Sequence, residues 1–178
     1  MLALATNLDQ SRAIAALHRR GWRDWLRTEP PSRVALVLVP FWTVAINVEA
    51  VSFRDRYRLS FDALTGSLDP YRSGADELPP LSAVEKANRP EPLLSDAALT
   101  ERAITYARRE VYRKGFGRIR DLNIQAERVP EADFHVPYWL GFYGASDGTV
   151  ELSVMNANSG KREGKKAVAL FAAWLARK

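Results

Sequence analysis

The sequence predicts an α+β fold of two tandem helix-plus-antiparallel-sheet units, closed by an apolar C-terminal helix. Three observations lead there. Apolar residues recur at helical spacing near the start of each half. Strand-like alternation follows each helical stretch. Half of the 10 prolines (Pro70, Pro79, Pro80, Pro90 and Pro92) gather between the halves. The implied division is a first unit over residues 1–68, an extended proline-rich connection over 69–96, and a second unit with the terminal helix over 97–178.

In the first unit, Ile14, Leu17, Gly21 and Trp25 share a helical face opposite Arg12, Arg19, Arg20, Arg23 and Arg27. That pattern predicts a helix from about Asp9 to Arg27. Val34 to Val51 and Arg56 to Phe61 read as a long strand and its partner, with Pro40 requiring an edge or a bulge because it has no amide hydrogen. Tyr57, Leu59 and Phe61 alternate with Arg58 and Ser60, as on a sheet with one wet face.

In the second unit, Ala103, Ile104, Ala107 and Val111 form one stripe of a helix from Ala98 to Lys114. Ser95 or Asp96 can cap its start and Gly115 its end. Arg118 to Val129 predicts a strand with an imperfection near Asp121. Phe134 to Tyr143 and Thr149 to Met155 form a hairpin across Asp147-Gly148. Val168 to Leu175 is apolar nearly all round, which predicts a helix from about Gly164 to Ala176 buried on more than one side, within the chain or in an oligomer interface.

Short matches recur in the same order along the chain. Arg19-Arg20-Gly21-Trp22 matches Arg113-Lys114-Gly115-Phe116, and Val39-Pro40-Phe41-Trp42 matches Val136-Pro137-Tyr138-Trp139. Asp62-Ala63-Leu64-Thr65-Gly66 matches Asn156-Ala157-Asn158-Ser159-Gly160. The outer pairs are offset by 94 residues and the middle pair by 97, as a duplication with an insertion and a compensating deletion would leave them.

A helix ending at glycine, then antiparallel strands, then a turn of the form apolar-Asp-Ala-x-Thr-Gly resembles the PepSY family and, more broadly, the cystatin-like α+β fold. The residues that carry the likeness are Phe61-Asp62-Ala63-Leu64-Thr65-Gly66 and Met155-Asn156-Ala157-Asn158-Ser159-Gly160, where Asn and Ser replace Asp and Thr. Such modules are viewed as binding or inhibitory domains, often outside the cytoplasm, with no catalytic residues to carry over. The resemblance therefore implies a non-enzymatic role.

Composition narrows the chemistry. The 178 residues contain no cysteine, which excludes disulfides, thiolate nucleophiles and cysteine metal sites, and only two histidines. The longest nearly continuous apolar run, Val34 to Ile46, is far short of the ~20 residues of a membrane helix. The start lacks a basic n-region and a full apolar stretch, so the expected location is cytoplasmic, with an extracytoplasmic one open if the sequence is trimmed. Lys and Arg number 26 against 21 Asp and Glu, a net charge of +5 that suits anionic partners without requiring them.

Four aromatic residues are candidates for binding. Phe41 with Trp42, and Tyr138 with Trp139, are neighbours on strands, so one ring of each pair enters the core and the other faces away, where it either covers the surface or lines a groove. Basic residues are the second set. Arg102, Arg108, Arg109, Arg113, Lys114, Arg118 and Arg120 could follow a phosphate backbone with Tyr106, Tyr112 and Phe116 stacking, or form a solvated face paired with Glu101 and Glu110. Lys161, Arg162, Lys165 and Lys166 precede the last helix and could hold an anion there. The glycines in Ser159 to Lys166 are one residue too close for a P-loop, and Lys166 stands where Ser or Thr would bind magnesium. His18 sits at the edge of an apolar face, and His135, near Glu131 and Asp133, comes with no nucleophile.

The expectation is a non-catalytic binding or protein-interaction module acting through its sheet faces or the C-terminal helix. It has a protein partner or a second copy of itself, and neither cofactor nor metal. The alternative is a nucleic-acid-binding protein using the Arg102 to Arg120 face and the Lys161 to Lys166 turn.

Overall fold

The structure, a computed structural model, describes residues 2–20, 28–74, 81–83, 88–113, 121–144 and 149–177. Its elements are, in chain order, β1 (Leu2–Leu4), α1 (Gln10–Leu17), β2 (Arg19–Arg20), β3 (Thr28–Glu29), β4 (Arg33–Ala50), β5 (Phe53–Asp62), β6 (Tyr71–Gly74) and β7 (Leu81–Ala83). Then follow α2 (Asp96–Arg113), β8 (Asn123–Arg128), a single 3₁₀ turn at Pro130–Ala132, β9 (Phe134–Gly144), β10 (Val150–Asn156) and α3 (Lys165–Leu175). The protein is thus mixed α+β, and no helix of the described residues is long and apolar enough to cross a membrane.

The chain forms two compact units that interleave along the sequence, where one after the other was expected. One comprises Met1–Val39, Leu81–Pro90 and His135–Lys178, and the other Pro40–Pro80 and Glu91–Phe134. We call them the α1 unit and the α2 unit. Each draws on both sides of the proline-rich connection. The helix of each half of the sequence therefore packs with the hairpin of the other half, because that hairpin supplies the apolar face it needs.

In the α2 unit, β4 and β5 pair antiparallel from Phe41↔Asp62 to Ala50↔Phe53, β6 adds to β5, and β8 adds to β4. Strand alternation sends Val44, Ile46 and Val48 of β4 and Tyr57, Leu59 and Phe61 of β5 to one face. There they meet Leu99, Ala103, Ala107 and Val111, the i, i+4, i+8, i+12 stripe of α2. Ser95 begins this helix, its hydroxyl accepting from the Ala98 amide at 3.2 Å. On the opposite face Phe41 stacks with Phe134 at 6.0 Å and meets the edge of Tyr71 at 5.4 Å. The imperfection expected near Asp121 is there, as a left-handed residue with φ 60° just before β8.

Arg128 ties the start of α2 to the sheet. Its guanidinium pairs with Asp133, stands 3.4 Å from the Asp96 carboxylate, donates to the Thr43 carbonyl at 3.2 Å and lies over the Trp42 ring at 4.7 Å.

In the α1 unit, β9 and β10 pair antiparallel from Tyr138↔Asn156 to Gly144↔Val150. β1 runs parallel to β9 at Ala3↔His135 and antiparallel to β7. Ala13 and Leu17 of α1 pack on Trp139, Met155 and Ala157. On the other face of β9, Tyr138 meets Phe171 of α3 at 5.5 Å.

Three expectations change. The first helix is eight residues long, Gln10–Leu17, and does not run to Arg27. Its end is consumed by distant donors: Tyr143 donates its hydroxyl to the Leu17 carbonyl, and Arg162 donates to the carbonyls of Ala16 (Nε, 3.0 Å) and His18. Arg19–Arg20 then pair with Thr28–Glu29, and Gly21 and Trp25 lie outside the described residues. The proline-rich connection is not merely a link, because it contributes β6 and β7 as paired strands. Finally, burial of α3 on more than one side is not met within the chain: Ala167, Leu170 and Phe171 are covered, while Ala169, Ala172 and Ala173 face solvent.

Candidate functional site

The register of β4 and β5 shapes a cavity within the α2 unit. Near the hairpin end, Val48, Phe53 and Tyr57 face Val111, in the last turn of α2, where the helix and the sheet enclose about 370 Å³. These four side chains form an apolar floor. Arg54, Asp55, Arg72 and Glu110 complete the lining.

Each of these charges has a partner in the protein. Arg72 stands 3.1 Å from Asp55, Arg113 2.8 Å from Glu110, and Arg54 3.6 Å from Glu49. The Arg72 guanidinium also lies 3.9 Å above the Tyr57 ring. Burial pushes the Tyr57 phenol above its ordinary range; Asp55, Glu110 and Tyr106 add to the rise, and Arg72 opposes it. At neutral pH Tyr57 therefore keeps its proton and can donate it to an acceptor in the cavity. It is poorly suited to act as a base.

The aromatic residues expected to bind sit elsewhere. Phe41 and Tyr138 are fully covered, one by Phe134 and Tyr71, the other by Phe171. Trp139 faces α1, with its indole N–H donating to the Leu8 carbonyl at 2.9 Å, and Trp42, half-buried, is roofed by Arg128. The alternation expected of each pair is present, but protein covers both faces.

The basic residues divide. Arg108 and Arg109 are exposed with no ion pair among the described residues, and Arg113 is exposed and paired with Glu110. Lys114, Arg118 and Arg120 lie outside the described residues. Lys161, Lys165 and Lys166 are exposed, whereas Arg162 spends its donors on the end of α1. His135 Nδ1 lies 3.2 Å from the Leu2 carbonyl. Among the described residues no three His, Asp or Glu gather as a metal site.

Sequence reasoning did not reach the cavity. The sequence pattern places Tyr57 in the sheet core and Arg72 in a linker. Of the residues involved only Glu110 was foreseen in its role, as a partner for the helix arginines. Set against known protein families, curated proteins and solved structures, the chain matches none.

Proposed function

We propose that the protein is a non-catalytic binding module whose ligand, a small neutral molecule with an apolar body and one hydrogen-bond acceptor, occupies the cavity of the α2 unit. The carrying observation is an apolar floor rimmed by charges that neutralise one another. A charged ligand would have to break one of those pairs or bring an unpaired charge onto the floor, which is costly. A neutral ligand keeps the pairs and gains the Tyr57 hydroxyl. The volume falls in the ordinary range for small-molecule sites.

Calorimetric titration with benzamide, benzoate and benzylammonium, which share one ring, tests this reading. Benzamide is expected to bind at least about tenfold tighter than either ion, and filling the cavity with Val111→Trp is expected to abolish binding in a variant whose circular dichroism is unchanged. No binding by any of the three overturns the reading.

The two units are further read as copies of one ancestral helix–hairpin module of PepSY or cystatin-like kind. Support comes from the matching registers Phe41↔Asp62 and Tyr138↔Asn156 and from the left-handed Gly66 and Gly160. The return of the offset from 97 to 94 falls in the hairpins, since β4–β5 is longer than β9–β10.

The nucleic-acid reading retains one specific observation, Arg108 and Arg109, exposed and with no ion pair among the described residues. Oligonucleotide affinity that falls by orders of magnitude between about 50 and 200 mM salt would favour it.

A further inference from the structure

We infer that the α2 unit carries a second site, separate from the cavity, for a phosphate monoester in the groove between the Asp62–Gly66 turn and the exposed side of α2. The groove has a volume of about 440 Å³ and is lined by Phe61, Gly66, Arg102, Thr105, Tyr106 and Arg109, among others. Arg102, Thr105 and Arg109 follow one another at i, i+3 and i+7, so they share a stripe of the helix. The two arginines are about 10 Å apart along the axis, close enough for both long side chains to reach a single group between them.

Their charge is available. Neither Arg102 nor Arg109 has a carboxylate within ion-pair distance among the described residues, in contrast to Arg113 on Glu110. Arg102 is also placed. Its stem crosses Gly66 so closely that a Cβ there would stand 2.7 Å from the Arg102 Cδ, and its Nη1 is 3.5 Å from the Gly66 carbonyl. A bond at that length is weak, so the stem is located while most of the guanidinium's donors have no partner among the described residues.

Two unpaired guanidinium groups match the double charge of a monoester, and arginine presents its donors in the fork that phosphate oxygens accept. The Thr105 hydroxyl adds a neutral donor. Phe61 and Tyr106, edge to face at 6.0 Å, supply an apolar wall for the esterified group. A nucleic-acid backbone offers one charge per phosphate, a poorer match to two arginines that line one groove. Glu101, exposed and also in the lining, opposes any anion and limits the affinity.

The test is calorimetric titration of the full chain with phenyl phosphate, inorganic phosphate and a twelve-residue oligothymidylate. Phenyl phosphate is expected to bind, about tenfold tighter than inorganic phosphate. Arg109→Ala is expected to weaken it about tenfold and Glu101→Gln to tighten it two- to threefold, by roughly the effect of one charge. Arg108→Ala, off the groove, leaves it unchanged. The cavity variant Val111→Trp also leaves it unchanged, so failure of the neutral-ligand reading and failure of this one are seen separately. No binding of phenyl phosphate, equal binding by Arg109→Ala, or preference for the oligothymidylate would each overturn the inference.

Discussion

Two turns close the two hairpins, and their backbones make the same bonds. After β5, the Ala63 amide donates to the Pro40 carbonyl at 2.8 Å and the Gly66 amide to the Asp62 carbonyl at 3.0 Å. After β10, Ala157 donates to Pro137 at 2.8 Å and Gly160 to Asn156 at 2.9 Å. The chain entering each helix docks on the same carbonyl, Leu93 and Leu94 on Ala63, and Asn7 on Ala157. What differs is side chains. The buried Asp62 carboxylate accepts from the amides of Thr65, Gly66 and Leu68, while the Asn156 amide oxygen accepts from Asn158 and Ser159. Gly66 is crossed by Arg102, whereas Gly160 faces Leu8. One backbone solution thus supports a charged groove in one unit and an apolar seal in the other.

The largest expected effect comes from removing the turn acceptors. Asp62→Ala strips three amides of a charged acceptor and is expected to cost about 3 kcal/mol in urea unfolding, against about 1.5 kcal/mol for Asn156→Ala. Equal costs would mean that the carboxylate adds nothing beyond the shared backbone.

Glycine substitution comes next. Both glycines hold φ values that a side chain disfavours, 62° at Gly66 and 71° at Gly160, so alanine is expected to cost about 1–2 kcal/mol at either. Gly66→Ala is expected to cost more, because it also pushes Arg102 aside, and to weaken phenyl phosphate binding. If the two variants cost the same and phenyl phosphate binding is unchanged, Gly66 does not place Arg102.

Arg162→Ala leaves the Ala16 and His18 carbonyls at the end of α1 without this donor and is expected to cost about 1 kcal/mol. The loss should appear as faster amide exchange at Ala13 to Leu17 with α2 unaffected. Uniformly faster exchange would contradict a local role.

The smallest effect is alkaline. With its pKa raised on folding, Tyr57 leaves stability intact below about pH 10, the ordinary phenol value, and removes it as pH climbs toward the folded-state value, because the unfolded chain ionises first. Tyr57→Phe should lose less stability than the parent above that pH, measured as Tm against pH. Parallel curves would show that burial does not perturb the phenol.

What the sequence made legible follows from the range of the forces involved. The α2 stripe, both hairpins and the Asp62 turn are written in local spacing, and each forms within two or three residues of its expected limits. The end of α1 is not local, since Tyr143 and Arg162, more than 120 residues away, take its carbonyls. The interleaving is likewise a choice between two hairpins with similar apolar faces, which periodicity cannot rank. The cavity was hidden for a related reason. It joins Val48, Phe53 and Tyr57 to Arg72 and Val111, and Arg72 lies among prolines that mask a paired strand.

On the proposals above, the α2 unit is the half of the molecule that carries ligands. An assigned amide spectrum of the full chain, recorded with benzamide and then with phenyl phosphate, tests it most directly. Benzamide should move the signals of Val48, Phe53, Tyr57 and Val111, phenyl phosphate those of Gly66, Arg102, Thr105 and Arg109, and residues 138–156 of the α1 unit should stay still. Shifts gathered on that hairpin, or no shifts with either compound, would contradict it.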